Sequence, residues 1–153
     1  MANQININNN INWDNIFDKM IFNHNEIKHL ASMIIEGMTD RIINQITADG
    51  RPLDANSASW QAQKQEEGKG VQTLIYTGGL KDVSTYQIKI NDEKVSIELE
   101  PGYRDIHLNL IEISEATGKN YKDWFGIAPI DIEIIMDEAR YIIQEKLRLL
   151  RSR

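Results

Sequence analysis

The chain has 153 residues, a formal net charge of -6 and no cysteine, enough length for one domain with a single core. An acidic, mixed-sign balance argues against nonspecific nucleic-acid binding, which needs a basic surface, and the missing thiols exclude disulfides and cysteine metal sites. No stretch approaches the roughly 20 apolar residues of a membrane helix, and the first residues lack a basic-then-apolar leader, so a soluble protein folded in the cytosol is expected.

Residues 1–22 form an arm in which Ile5, Ile7 and Ile11 alternate with asparagines. It reads either as a loose terminus or as a strand that orders on a neighbouring subunit, because period-two isoleucines suit addition to a sheet edge. Trp13, Ile16, Phe17, Met20 and Ile21 follow at the spacing of a short amphipathic helix. From Asn23 the signals sharpen. Asn23 and Glu26 fit a capping box, and Ile27, Leu30, Ala31, Ile34, Ile35, Met38, Ile42 and Ile46 recur at three- and four-residue steps. Lys28, Ser32, Glu36, Asp40 and Arg41 fall on the other side, which predicts a long amphipathic helix closed by Ala48-Asp49-Gly50. Residues 51–70 are polar and read as an extended loop with one or two helical turns over 57–65. Trp60 within it either folds back on the domain or anchors a partner.

After the short apolar run Val71–Tyr76, Thr77 is a cap candidate, Gly78 and Gly79 allow a sharp turn, and Leu80 and Val83 are expected to face the core. Tyr86, Ile88 and Ile90, then Val95, Ile97 and Leu99, alternate with polar residues across Asn91–Lys94. That pattern predicts an antiparallel hairpin with one wet face. Pro101-Gly102 stops its second strand. Residues 103–115 fit a strand through Ile106, Leu108 and Leu110, or a helix through Ile106, Leu110 and Ile113; a loop follows over 118–123. Pro129 opens the last helix, with Ile130, Ile134, Ile135, Ala139, Ile142, Ile143, Leu147 and Leu150 as its apolar stripe. The fold class expected is α+β, with a long N-terminal helix, a small antiparallel β-sheet with a hairpin, and a long C-terminal helix. Residues 23–153 form its single domain.

Nothing in the chain makes a convincing catalytic set, and no enzyme, cofactor or metal site is expected. His24 and His29 are five residues apart and share no helical face, so they read as surface groups; His107 has no oriented partner in sequence. Asp131, Glu133, Asp137 and Glu138 read as the solvated face of the last helix, with Arg140 pairing to Asp137, rather than as magnesium ligands. Gly68-Lys69-Gly70 lacks phosphate-loop spacing, and Ser57 and Ser59 lack a nucleophile elbow.

Over roughly residues 27–147 the order of these elements resembles the phage virion-morphogenesis family, the group of tail-completion protein S and Mu protein G. The resemblance rests on the helix running into Asp49-Gly50-Arg51, on Leu74-Ile75-Tyr76-Thr77-Gly78-Gly79-Leu80-Lys81-Asp82-Val83-Ser84, on Tyr103 with Ile106-His107, and on Trp124-Phe125-Gly126-Ile127 with Asp131. The chain differs at Leu108–Asp123, where the family has a shorter loop, and at Ala128, where it has Ser or Thr.

The resemblance implies a structural virion protein of the tail and neck, assembled in the bacterial cytoplasm. Its role would be tail completion and head-tail joining, as a homo-oligomeric ring through which the genome passes. Partners would be the tail terminator, the connector or adaptor, and the tube. The arm, the 51–70 loop and residues 108–123 are the expected contacts. Ile5, Ile7, Trp13, Arg51, Trp60, Lys64, Lys69, Tyr103, His107, Tyr121 and Trp124 are the interface candidates. Removing 51–70 is expected to leave a folded domain that does not assemble. The alternatives are a terminator or baseplate part of a contractile injection system or bacteriocin, a small adaptor module, and a metal-dependent nuclease.

Overall fold

The computed structural model describes residues 4–6 (backbone only), 21–70, 72–75, 78–90 and 95–152. Ile7, Trp13, the short helix expected over 13–20, Thr77 and the Asn91–Lys94 turn lie outside these residues. The elements are β1 (Gln4–Asn6), α1 (His24–Asn44), α2 (Ala58–Glu66), a 3-10 turn (Val83–Thr85), β2 (Tyr86–Ile90), β3 (Val95–Leu99), α3 (Pro101–Thr117) and α4 (Pro129–Arg151). The expected α+β class holds.

α1 starts as its sequence requires. The Asn23 side chain accepts from the Glu26 amide, and Glu26 accepts in return from the Asn23 amide, both at 2.9 Å. Ile27, Leu30, Ala31, Ile34, Ile35, Met38 and Ile42 are buried. The helix stops earlier than predicted, at Asn44. Gln45 turns left-handed (φ 57°), and the amides of Gln45 and Ile46 donate back to Ile42 and Arg41, a Schellman closure. A non-glycine residue is held there because its amide side chain donates to the Thr73 carbonyl and accepts from the Thr73 amide, each at 2.8 Å. Ile46 leaves the helical stripe and bridges to Pro52.

The hairpin forms in the predicted register, Ile88 opposite Ile97 and Ile90 opposite Val95. It gains a third strand: β1 pairs antiparallel with β3, Ile5 opposite Ile97, giving the order β1-β3-β2. In this structure the arm adds to an edge of its own sheet rather than to a neighbour's. β2 keeps a wet face. β3, now central, is buried at all five positions, Ser96 and Glu98 included, and Glu98 is paired with Lys89 at 2.5 Å. Leu80 is buried as expected, whereas Val83 is half exposed.

Residues 101–117 form a helix, not a strand. Pro101 sits in the first turn, where its missing N–H costs nothing, and Gly118 closes the helix at φ 73°. α1 packs on β2 and β3, α3 on β3, and α4 on α1. The face of α4 that meets the core runs through Ile132, Ile135, Ala139 and Ile142. The predicted stripe holds at Ile135, Ala139, Ile142 and Ile143 and fails at Ile130 and Ile134, which face outward, and at Leu147 and Leu150, which are exposed near the helix end.

Candidate functional site

An apolar cleft of about 860 Å³ lies between α2, residues 73–75 and 78–80, α3 and the loop after it. Its floor comes from Leu74, Ile75 and Leu80, and one wall from Ile106, Leu110, Ile113 and Thr117, which lie four, three and four residues apart along one face of α3. Trp60 of α2 forms the opposite rim, on a helix whose N-cap, Ser57, accepts from the Trp60 amide at 3.3 Å. Tyr103 sits at the junction with the glycines. A methyl group on Gly79 would collide with the Tyr103 ring, so this glycine is required for close approach, while Gly78 supplies the turn at φ 87°.

Four of the expected contact residues, Trp60, Lys64, Tyr103 and Tyr121, meet in this cleft. Lys64 is not a free surface cation. It is buried, burial lowers its pKa, and its Nζ donates to the Gln72 carbonyl at 2.7 Å. His107 and Trp124 are buried behind the α3 wall, with ring centroids 5.4 Å apart. They are core residues, not surface contacts. The His107 ring also lies 4.3 Å from that of Phe125, and burial pulls its pKa down to about 4, so it is neutral at pH 7. Arg51 lies away from the cleft, exposed, with its Nε 2.8 Å from Asp49 and Nη2 3.8 Å from Asp123. Lys69 is half-buried beyond α2 and is not part of the lining. The placement of Ile5 is that of a backbone rung on β3.

The 51–70 segment is fastened to the body. The Asp54 amide donates to Asn120 Oδ1 (2.7 Å) and the Asn120 amide to Asp54 Oδ2 (2.9 Å). Asn120 Nδ2 donates to the Pro52 carbonyl and the Tyr121 hydroxyl to the Ala55 carbonyl; Leu53 is buried. Excising the segment would remove Leu53 and leave Asn120 and Tyr121 without these partners, which argues against a folded domain that lacks it. Nor is 108–123 a loop insertion: Leu108–Thr117 continues α3.

The polar feature that sequence reasoning missed is buried between α1 and α4. Arg41, placed on the wet face by its charge, is 4% exposed. Its guanidinium donates to Asp131 Oδ2 (2.7 Å), the Trp124 carbonyl (3.1 Å) and the Gly126 carbonyl (2.5 Å). Asp131 also accepts from the Ala128 amide at 2.9 Å, the reciprocal half of a capping box, while Ala128 itself has no side chain to cap the helix. Any side chain at Gly37 would strike this carboxylate. A glycine inside a long apolar stripe was the available signal, since it marks close approach. Asp131 is therefore no solvated acid. The Arg140–Asp137 pair forms as expected, at 2.9 Å, and His29 lies 3.2 Å from Glu138.

Among the described residues no three His, Asp or Glu side chains gather as metal ligands, and no helix is long and apolar enough to cross a membrane. Comparison with known proteins finds no match among protein-family models, curated proteins or solved structures.

Proposed function

We propose that this chain is a structural component of a phage-type tail, acting in tail completion and head-tail joining as a ring of identical subunits. The observation that carries the reading is how the molecule distributes its apolar surface. α3 and α4 each present large apolar side chains away from the core, Ile106 and Ile113 on one and Ile130 and Ile134 on the other, and Leu147 and Leu150 are exposed near the end of α4. An apolar cleft opens beside the α3 pair. Separate unpartnered patches are what a subunit needs to meet two neighbours at once. The ordered series of motifs from Asp49-Gly50-Arg51 to Trp124-Phe125-Gly126 supports the placement at the head-proximal end of a tail.

The test is genetic and visual. Removing the coding sequence from the phage or prophage that carries it is expected to leave filled heads and finished tails lying separately in the lysate, and labelled antibody should decorate the neck of wild-type particles. Joined, infectious particles from the deletion would overturn the reading. A single-partner adaptor is distinguished in the same preparation, because it would leave particle joining intact and be absent from purified virions.

A further inference from the structure

Lys64 is a buried cation without a counter-ion. It is 1% exposed, and its Nζ donates to the Gln72 carbonyl at 2.7 Å. Among the described residues that carbonyl is its only polar partner, so the other N–H groups of the ammonium are unspent. Burial lowers its pKa, and no carboxylate acts against that effect. A buried ammonium is costly when no opposite charge meets it. A tie to the Gln72 carbonyl alone needs only a neutral donor.

The surroundings of Lys64 have one sign and few other free donors. The charged residues that line the cleft are Lys64 and the exposed Lys119, and no Asp or Glu joins them among the described residues. The hydroxyls of Thr73, Thr117 and Tyr121, which also line it, donate to the carbonyls of Asp54, Ile113 and Ala55, so their protons are already used. The rest of the lining is mostly aliphatic and aromatic, from the Leu74–Leu80 floor to Ile113 and Trp60. A volume of about 860 Å³ is in the range of small-molecule sites, which pair apolar walls with a few placed polar groups.

We propose that the cleft binds an amphipathic monocarboxylate, its apolar body between Ile113 and Trp60 and its carboxylate on the Lys64 ammonium. One buried ammonium balances one negative charge; a doubly charged phosphate monoester would leave the second uncompensated among apolar walls. Lys119 adds an attractive charge from the solvent side. The proposal goes beyond the ring reading and is independent of it, since a ligand seated here leaves Ile130 and Ile134 of α4 uncovered.

Calorimetric titration of the full chain tests it with matched tails: decanoate, decanol and decyltrimethylammonium, each below its micellar concentration, and naphthalene-2-carboxylate as an aromatic acid. At least one of the two carboxylates is expected to bind saturably, and decanoate about tenfold or more tighter than decanol or the cation, the usual worth of a charge-assisted hydrogen bond. Lys64→Met, which keeps length and removes charge, should weaken decanoate by a similar factor and leave decanol unchanged. Ile113→Asp should weaken both.

In wild type with carbon-labelled lysine, the Lys64 ε-carbon signal should move on adding decanoate and stay in place on adding decanol. This readout stands even where a thermal melt shows Lys64→Met unfolded. No saturable binding of either carboxylate, equal affinity for decanoate and decanol, equal losses of the two in Lys64→Met, or a Lys64 signal that ignores decanoate would each overturn the proposal. Equal losses would leave Lys64 as a structural tie only. None of these results touches the neck assignment, which the lysate experiment decides.

Discussion

His107 lies between the rings of Trp124 and Phe125, and its proton equilibrium becomes a stability term. Burial lowers its pKa from 6.5 to about 4. Above pH 6.5 folded and unfolded chains both hold it neutral. As pH falls from 6.5 toward 4 the unfolded chain takes up a proton that the folded chain refuses, so stability falls across that window, by about 3 kcal/mol from this group. His107→Leu is expected to flatten the loss, read as urea midpoints at pH 7 and pH 4.5; an unchanged pH dependence would remove His107 as its source. The Arg41–Asp131 pair is the other residue with large leverage. Asp131→Ala strands a buried guanidinium and is expected to cost about 3–5 kcal/mol. In a double-mutant cycle Arg41→Ala should cost markedly less on that background than alone; additive costs would mean that the two are not coupled.

At the scale of elements, the loop before α2 and the loop after α3 are one unit because Asn120 ties them. Its side chain accepts from Asp54 and donates to Pro52. Asn120→Ala orphans a part-buried amide and a carbonyl and is expected to cost about 1–3 kcal/mol, with faster hydrogen exchange at the Asp54 amide and new protease cleavage in 51–70. Exchange unchanged at Asp54 would show that other contacts carry the tie. This lock had no sequence signal, because side-chain-to-backbone bonds between distant loops leave no period. α1 was legible for the opposite reason: seven buried positions at helical steps behind a capping pair admit one solution. α3 was ambiguous since Ile106, Leu108 and Leu110 satisfy a period of two as well as of four. α4 was legible as a helix, and as a face over Ile135, Ala139, Ile142 and Ile143, but not at its start. With Ile130, Ile132, Ile134, Ile135 and Met136 crowding its start, periodicity cannot say which row α1 will cover. Arg41 was misplaced by the rule that charge faces water, which a partner across the interface suspends. The cleft residues Trp60, Tyr103 and Tyr121 were visible as individual aromatics. Their convergence required the tertiary fold.

At the scale of the whole molecule, one core made by α1, the sheet and one side of α4 leaves apolar side chains of α3 and α4 and a cleft on the outside. On the proposed reading such a subunit would gain its remaining burial from copies of itself or from neighbours, and the apolar surface covered in the free chain would understate what an assembly covers. The three-stranded sheet carries a consequence of another kind. Its central strand takes a partner from about 90 residues earlier in the chain, Ile5 beside Ile97, so β1 is synthesised well before the strand that it pairs with. At 5–20 residues per second it waits roughly 5–20 s for β3 to be made, and closing so wide a loop comes late even in a refolding chain. From its synthesis until β1 docks, the open flank of β3 is a place where a nascent copy is exposed to pairing with the wrong molecule.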